Sequence, residues 1–178
     1  MGDRICVMKD GHIMQVADPV TLFERPENAF VAGFIGTPEM NLATGKLALE
    51  GRPSMSIGTQ SIALDDAVMS RLEPNNGDVT IGIRPQHLEL APVDSRDVFR
   101  GHVTALEFMG HEVYLHVSIE ENNFIAVVPV EKFNPSIIRG SEVALKANLN
   151  RLHIFERETG RNISLSKVST SLSVGEVA

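Results

Sequence analysis

The residues best suited to chemistry in this 178-residue chain are six histidines and several paired carboxylates. His111-Glu112 with His116 is close to the His-Glu-x-x-His zinc pattern, but the second histidine falls one residue late. The segment also alternates as a strand, Val113 to Ile119, so positions five apart face opposite sides and the two imidazoles cannot share a metal. His12, His102 and His153 stand apart in the sequence, and His87 follows Arg84-Pro85. Asp65-Asp66 and Glu120-Glu121 fall in expected turns, where solvated carboxylates keep ordinary acidity; acid–base work needs a cleft that perturbs it. Gly45-Lys46 runs into Leu47 and lacks the glycine spacing of a phosphate-cradling loop. No Gly-x-Ser-x-Gly elbow occurs, and the one cysteine, Cys6, supports neither an internal disulfide nor a cysteine-rich zinc site. No catalytic, cofactor-binding or metal-ligating residue is therefore expected, and these residues by themselves do not read as an enzyme.

Composition narrows the partners. Sixteen Lys and Arg against 23 Asp and Glu give a net charge of −7, the wrong sign for a polyanion, so nucleic acid is excluded as an expected partner. No apolar run reaches the ~18 residues of a membrane span. The opening Met1 to Arg4 lacks the grading of a signal peptide, so a cytosolic setting is expected.

Two strands, Ile5 to Met8 and Ile13 to Val16, flank Asp10-Gly11, a strong hairpin signal. Ile5 and Val7 point one way, Cys6 and Met8 the other, so the strand calls for cover on both faces. Asp18-Pro19 then caps a short helix carrying Leu22-Phe23. A second helix carries Phe30, Val31, Phe34 and Ile35 and stops by Gly36. Phe30, Phe34 and Ile35 are the expected packing surface toward another domain or partner. From about Asn41 the texture becomes short strands: 47–49, 61–64, 79–84, 103–108, 113–119, 124–130, 143–147 and 152–155. A short helix is expected over 66–72. So many short strands predict a closed or nearly closed β-barrel. Two loose strand–glycine–strand echoes are too weak to establish an internal repeat. Within the 79–84 strand and its exit, Gly82, Arg84, Pro85 and His87 form a motif, with Pro85 ending the strand.

Read whole, Asp3 to Leu42 carries a long ordered pattern. Asp3-Arg4-Ile5 is followed by Asp10-Gly11 with Ile13 and Gln15, then by Pro19 with Leu22-Phe23. Pro26, Asn28, Phe30-Val31-Ala32, Phe34-Ile35-Gly36 and Pro38-Met40-Asn41 complete it. This pattern closely resembles the segment that ends the ATPase domain of bacterial ABC importers of the maltose and glycerol-3-phosphate type. Ile81 to Leu88 resembles the Gly-Ile-Arg-Pro-Glu-His signature of that family's C-terminal regulatory domain, with Gln86 in place of the usual glutamate. Gly101-x-Val103, Glu107 to Gly110, Val113 to Val117, and Leu152 to Phe155 with Thr159-Gly160 extend the likeness to about Ser164.

The resemblance implies a mainly β fold. An OB-like (TOBE/MOP-type) regulatory barrel over 38–166 would follow a hairpin and two short helices left from an α/β ATPase domain over 1–37. Residues 167–178 would form a flexible tail. The family's Walker A, signature, Walker B and switch-histidine motifs lie before the Asp-Arg-Ile element and are absent here, so ATP and Mg belong to the intact subunit. The implied role is regulation and dimerisation of the ATP-binding subunit of an importer for sugars, polyols or sugar phosphates. Homodimerisation through the barrel, permease subunits reached through the ATPase domain, and a regulatory protein are the implied partners. The intact subunit would sit on the inner face of the bacterial plasma membrane. The competing expectation is a barrel that binds a small oxyanion or sugar, although Arg84, Lys132 and Arg139 are scattered along the sequence.

Overall fold

A computed structural model describes residues 3–165; the tail expected over 167–178 lies outside them. β1 (Ile5–Lys9) and β2 (His12–Ala17) form an antiparallel hairpin. Its turn, Asp10-Gly11, has φ of 49° and 79°, the left-handed pair that this dipeptide favours. α1 (Pro19–Glu24) starts at Asp18, whose carboxylate accepts from the Val20 and Thr21 N–H groups at 3.0 Å. α2 (Ala29–Phe34) starts at Asn28, which accepts from Val31 N–H at 3.0 Å. Val7, Leu22 and Val31 form the core of this segment. The expected two-sided cover of β1 is not found: only Val7 is buried, while Met8 is 55% exposed and Ile13 of β2 is 65% exposed.

The strands that follow are β3 (Asn41–Ala48), β4 (Ser54–Ile57), β5 (Gln60–Ala63), β6 (Gly77–Ile83), β7 (Leu88–Ala91), β8 (Phe99–Phe108), β9 (Glu112–Ile119), β10 (Asn122–Pro129), β11 (Glu142–Ala147) and β12 (His153–Glu156). α3 (Asp66–Arg71) sits between β5 and β6. β4 and β7 go beyond the expected strands, being only four residues long and too short to show a period. β3 starts six residues before the expected 47 because its inward positions are Asn41, Ala43, Gly45 and Leu47. The first three are too small or too polar to show a hydrophobic alternation.

The fold is mainly β, as expected, and the barrel is built from two five-stranded antiparallel sheets around one core. Their orders are β12-β6-β3-β4-β5 and β10-β9-β8-β11-β7. Met55, Ile57, Ile81 and Ile154 from the first meet Phe99, Leu115, Phe124 and Leu145 from the second.

The two sheets reveal an internal repeat that the sequence reading left unestablished. In each half a three-strand meander is followed by a strand that pairs back to the first, then by a fifth strand. The registers coincide: Gly45 opposes Val79 as Gly101 opposes Val143, and Ile57 opposes Gln60 as Ile119 opposes Asn122. The fifth strands are exchanged. β7 joins the second sheet, where Leu145 pairs Leu90, and β12 joins the first, where Ile81 pairs Ile154. Reciprocal side-chain ties also cross over. The Asn41 side chain accepts from Ile125 N–H at 2.7 Å, and Asp97 accepts from Ala63 N–H at 3.0 Å. Neither half is complete alone.

Gly45 and Gly101 occupy equivalent positions where strands approach too closely for a side chain. A Cβ at Gly45 would lie 2.5 Å from Ser56 O, and one at Gly101 would lie 2.3 Å from Ser118 O. Backbone oxygens inside a ladder cannot retreat without parting it. Gly45→Ala and Gly101→Ala should each cost about 1–3 kcal/mol, with similar losses in the two halves, as read by urea denaturation of the full chain.

Candidate functional site

The four motif residues converge where β6 meets the N-terminal segment. Arg84 leaves β6 and is 1% exposed, the largest fully buried side chain. Its Nε and Nη2 donate to Phe23 O at 3.0 and 2.5 Å, and its Nη1 donates to Ile35 O at 2.7 Å. These carbonyls belong to the ends of α1 and α2, where a helix leaves acceptors without intrahelical donors. One guanidinium thus closes both helices, and it also lies 3.7 Å from the centre of the Phe23 ring. Burial lowers its pKa to about 10, with Glu24 pulling the other way, so it remains charged at neutral pH.

The glycines around it are there for space. Gly36 has φ of 124°, and a Cβ on it would lie 2.9 Å from Arg84 Nη1. A Cβ on Gly82 would meet Met40 Sδ at 2.7 Å and the Phe155 ring at 2.8 Å. The bare backbone at Gly82 lets Met40 and Phe155 close over Ala32 of α2. Pro85 is buried at the start of a 3₁₀ turn spanning Pro85–His87. His87 Nδ1 is buried without a hydrogen-bond partner among the described residues.

A second set of ties centres on Asn162, which gave no motif in the sequence. Asn162 Nδ2 donates to Pro26 O at 2.8 Å and lies 3.2 Å from His153 Nδ1, while Asn162 Oδ1 accepts from Ser164 N–H and Oγ–H. The Asn162 N–H donates to Glu27 O, and Ala29 N–H donates to Gly160 O, both at 2.8 Å. Gln15 bridges Arg25 O and Glu27 N–H, and Arg151 pairs with Glu24. Burial, reinforced by Arg71, Arg84, His87 and Arg151, depresses the His153 pKa to about 3, so its ring is neutral at pH 7.

Phe30, Phe34 and Ile35 divide between two environments. Phe30 and Ile35 pack on the Val7–Leu22–Val31 core, and Ile35 supplies the carbonyl to Arg84. Phe34 stacks on Phe30 at 5.8 Å yet is 65% exposed, and Met8 and Ile13 of the hairpin are exposed as well. The other chemical candidates have local roles. Asp65 caps α3, Glu120 accepts from Thr59 Oγ1 at 2.8 Å, and His116 Nε2 lies 2.8 Å from Glu107. The arrangement is a welded junction between a hairpin–helix segment and a paired-sheet domain.

Residues 36–88 match the family described as MalK OB fold domain, and residues 81–155 match the TOBE domain family. The chain carries a MalK OB fold domain and a TOBE domain. The two matched ranges meet at 81–88, the Arg84 strand and turn. The oligosaccharides import ATP-binding protein MsmX of Bacillus subtilis is 34% identical over 89% of this chain and 44% of that protein. The sn-glycerol-3-phosphate import ATP-binding protein UgpC 1 of Rhizobium etli is 32% identical over 94% of this chain and 43% of that protein. The chain therefore spans less than half the length of these relatives. Among solved structures, the cytoplasmic molybdate-binding protein ModG superposes with a TM-score of 0.52 at 14% identity, covering 64% of this chain and 94% of that one. That likeness is one of fold.

Two outcomes test this TOBE junction. Arg84→Ala strands two buried carbonyls and removes the ring contact, and should lower stability by about 2–4 kcal/mol in urea melts. His153 supplies a pH signature. Its folded pKa lies below its ordinary value of 6.5, so the unfolded chain binds the extra proton. This contribution is complete above pH 6.5 and is lost as pH falls toward 3, at up to about 1.4 kcal/mol per unit. The stability–pH curve of His153→Gln should be shallower than that of the parent in this window.

Proposed function

We propose that this chain is the regulatory and dimerisation part of the ATP-binding subunit of an ABC importer, with residues 38–166 as the regulatory unit and 1–37 as the end of the ATPase domain. The observation that carries this reading is the junction itself. A hairpin and two helices bearing an importer-ATPase pattern are fixed to a tandem OB/TOBE unit by Arg84 and Asn162. The exposed Met8, Ile13 and Phe34 are then the surface that meets the rest of the ATPase domain. Sugars, polyols or sugar phosphates are the proposed transported class, supported by the relatives named for oligosaccharide and sn-glycerol-3-phosphate import.

In this role the paired sheets hold two subunits together while their ATPase halves open and close, which keeps those halves at high effective concentration. The rigid junction makes a change at the barrel a change in ATPase orientation. ATP and Mg are assigned to the intact subunit, in keeping with relatives named as ATP-binding proteins. Permease subunits would be met through the ATPase domain, and a regulatory protein through the barrel surface. Among the described residues no helix is long and apolar enough to cross a membrane, in keeping with a peripheral place on the cytoplasmic face of the plasma membrane.

Sedimentation of the full chain from low to high micromolar concentration should show a dimer, and titration with Mg-ATP should give no binding heat. A monomer throughout that range would contradict the dimerisation role; micromolar ATP affinity would contradict the assignment of nucleotide chemistry to other residues.

A further inference from the structure

Beside the Arg84 junction, where α1 faces the 3₁₀ turn Leu149–Arg151, lies a cavity of about 340 Å³. Its walls include Thr21, Glu24, Arg25, Arg71, Arg151 and His153. Three guanidinium groups thus surround one carboxylate, on a chain of net charge −7. Arg71 is fixed in place: its Nη1 donates to Ser164 O at 2.5 Å, and its Nη2 donates to Leu149 O and Leu152 O at 2.9 and 2.8 Å. Carbonyls orient a guanidinium without cancelling its charge. Burial lowers the Arg71 pKa, Asp65 opposes that, and neighbouring Arg25 adds to it. A smaller recess shares Glu24, Arg151 and His153 with this cavity and continues to Arg84 and His87. The positive groups of both halves and of the N-terminal segment therefore gather at one place.

We propose that this cavity binds a small dianion, inorganic phosphate or a phosphate monoester, through Arg25, Arg71 and Arg151. Planar guanidinium forks match the oxygen geometry of phosphate. The volume exceeds that of a bare phosphate, leaving space for a small organic substituent. Among the described residues the walls hold no Phe, Tyr or Trp ring on which a nucleobase would stack. An incoming anion competes with Glu24 for Arg151, and so exchanges one tie between α1 and the sheets for a ligand-bridged one. The site goes beyond the role proposed above, and its binding is measurable on this chain whether or not that role holds.

Isothermal titration of the full chain with sodium phosphate, with glucose 6-phosphate and with glucose, each against sodium chloride at matched ionic strength, tests the site. Saturable heat is expected for one or both phosphates and none for glucose; phosphate alone or the ester alone identifies which source fits. Arg25→Ala and Arg151→Ala should each weaken binding roughly tenfold or more, as loss of a charge-assisted bond requires. Glu24→Gln, which releases Arg151, should instead tighten it and guards against a variant that merely fails to fold. Heat indistinguishable from chloride, or saturable binding unchanged in all three variants, would overturn the proposal.

Discussion

A guanidinium removed from water without a carboxylate in contact is the constraint around which this molecule is arranged. Taking such a charge out of solvent is costly unless every donor finds an acceptor. Arg84 meets that demand with Phe23 O, Ile35 O and the face of the Phe23 ring. Both carbonyls come from helix ends, so the charge is tolerated only while α1 and α2 are formed and docked. Conversely, neither helix can leave the sheets without stranding Arg84. The bare backbones of Gly36 and Gly82 follow from this requirement, since a methyl group at either would intrude on the packing that seats the segment.

The exchanged fifth strands explain why the charge sits where it does. β12 belongs to the second half by sequence but lies beside β6, and it brings His153 and Arg151 to the exit of the Arg84 strand. The equivalent turns 85–87 and 149–151 touch, the Asn148 N–H donating to His87 O at 2.9 Å. The N-terminal segment therefore rests on the contact between the halves, where a shift of one half against the other would be felt first. A domain made of two interlocked copies has little freedom to deform within either copy. The turn region between them and the segment above it are the places left for a signal to pass.

Much of this was readable from residue patterns. The hairpin, the cap at Asp18, the strand alternation of β9, and the exit of β6 at Pro85 are local chemistry, visible in windows of a few residues. The motif around Arg84 could be singled out, but its partners could not. They are backbone carbonyls distant in sequence, and any residue type supplies a carbonyl. Asn162 escaped notice for the same reason, since its ties to Pro26 and Glu27 depend on the fold alone. The repeat was hidden because equivalent sites share register more than residue type: Gly45 and Gly101 agree, whereas Thr44 matches Arg100 and Gly82 matches Lys146. Register is a property of pairing, and pairing appears only when both strands are in view.

Native-state hydrogen exchange tests most directly whether the N-terminal segment and the sheets form one cooperative unit. The amides of Leu22 and Ile35 are held by helix hydrogen bonds and that of Val31 by the Asn28 cap, and those of Ile81 and Ile154 lie in the sheet. If Arg84 joins the two parts, all five exchange through an opening of the same free energy, and Arg84→Ala lowers the protection of the first three below that of the sheet. Separate, weaker protection of Leu22, Val31 and Ile35 in the unaltered chain would show that the segment opens independently, and would contradict the account.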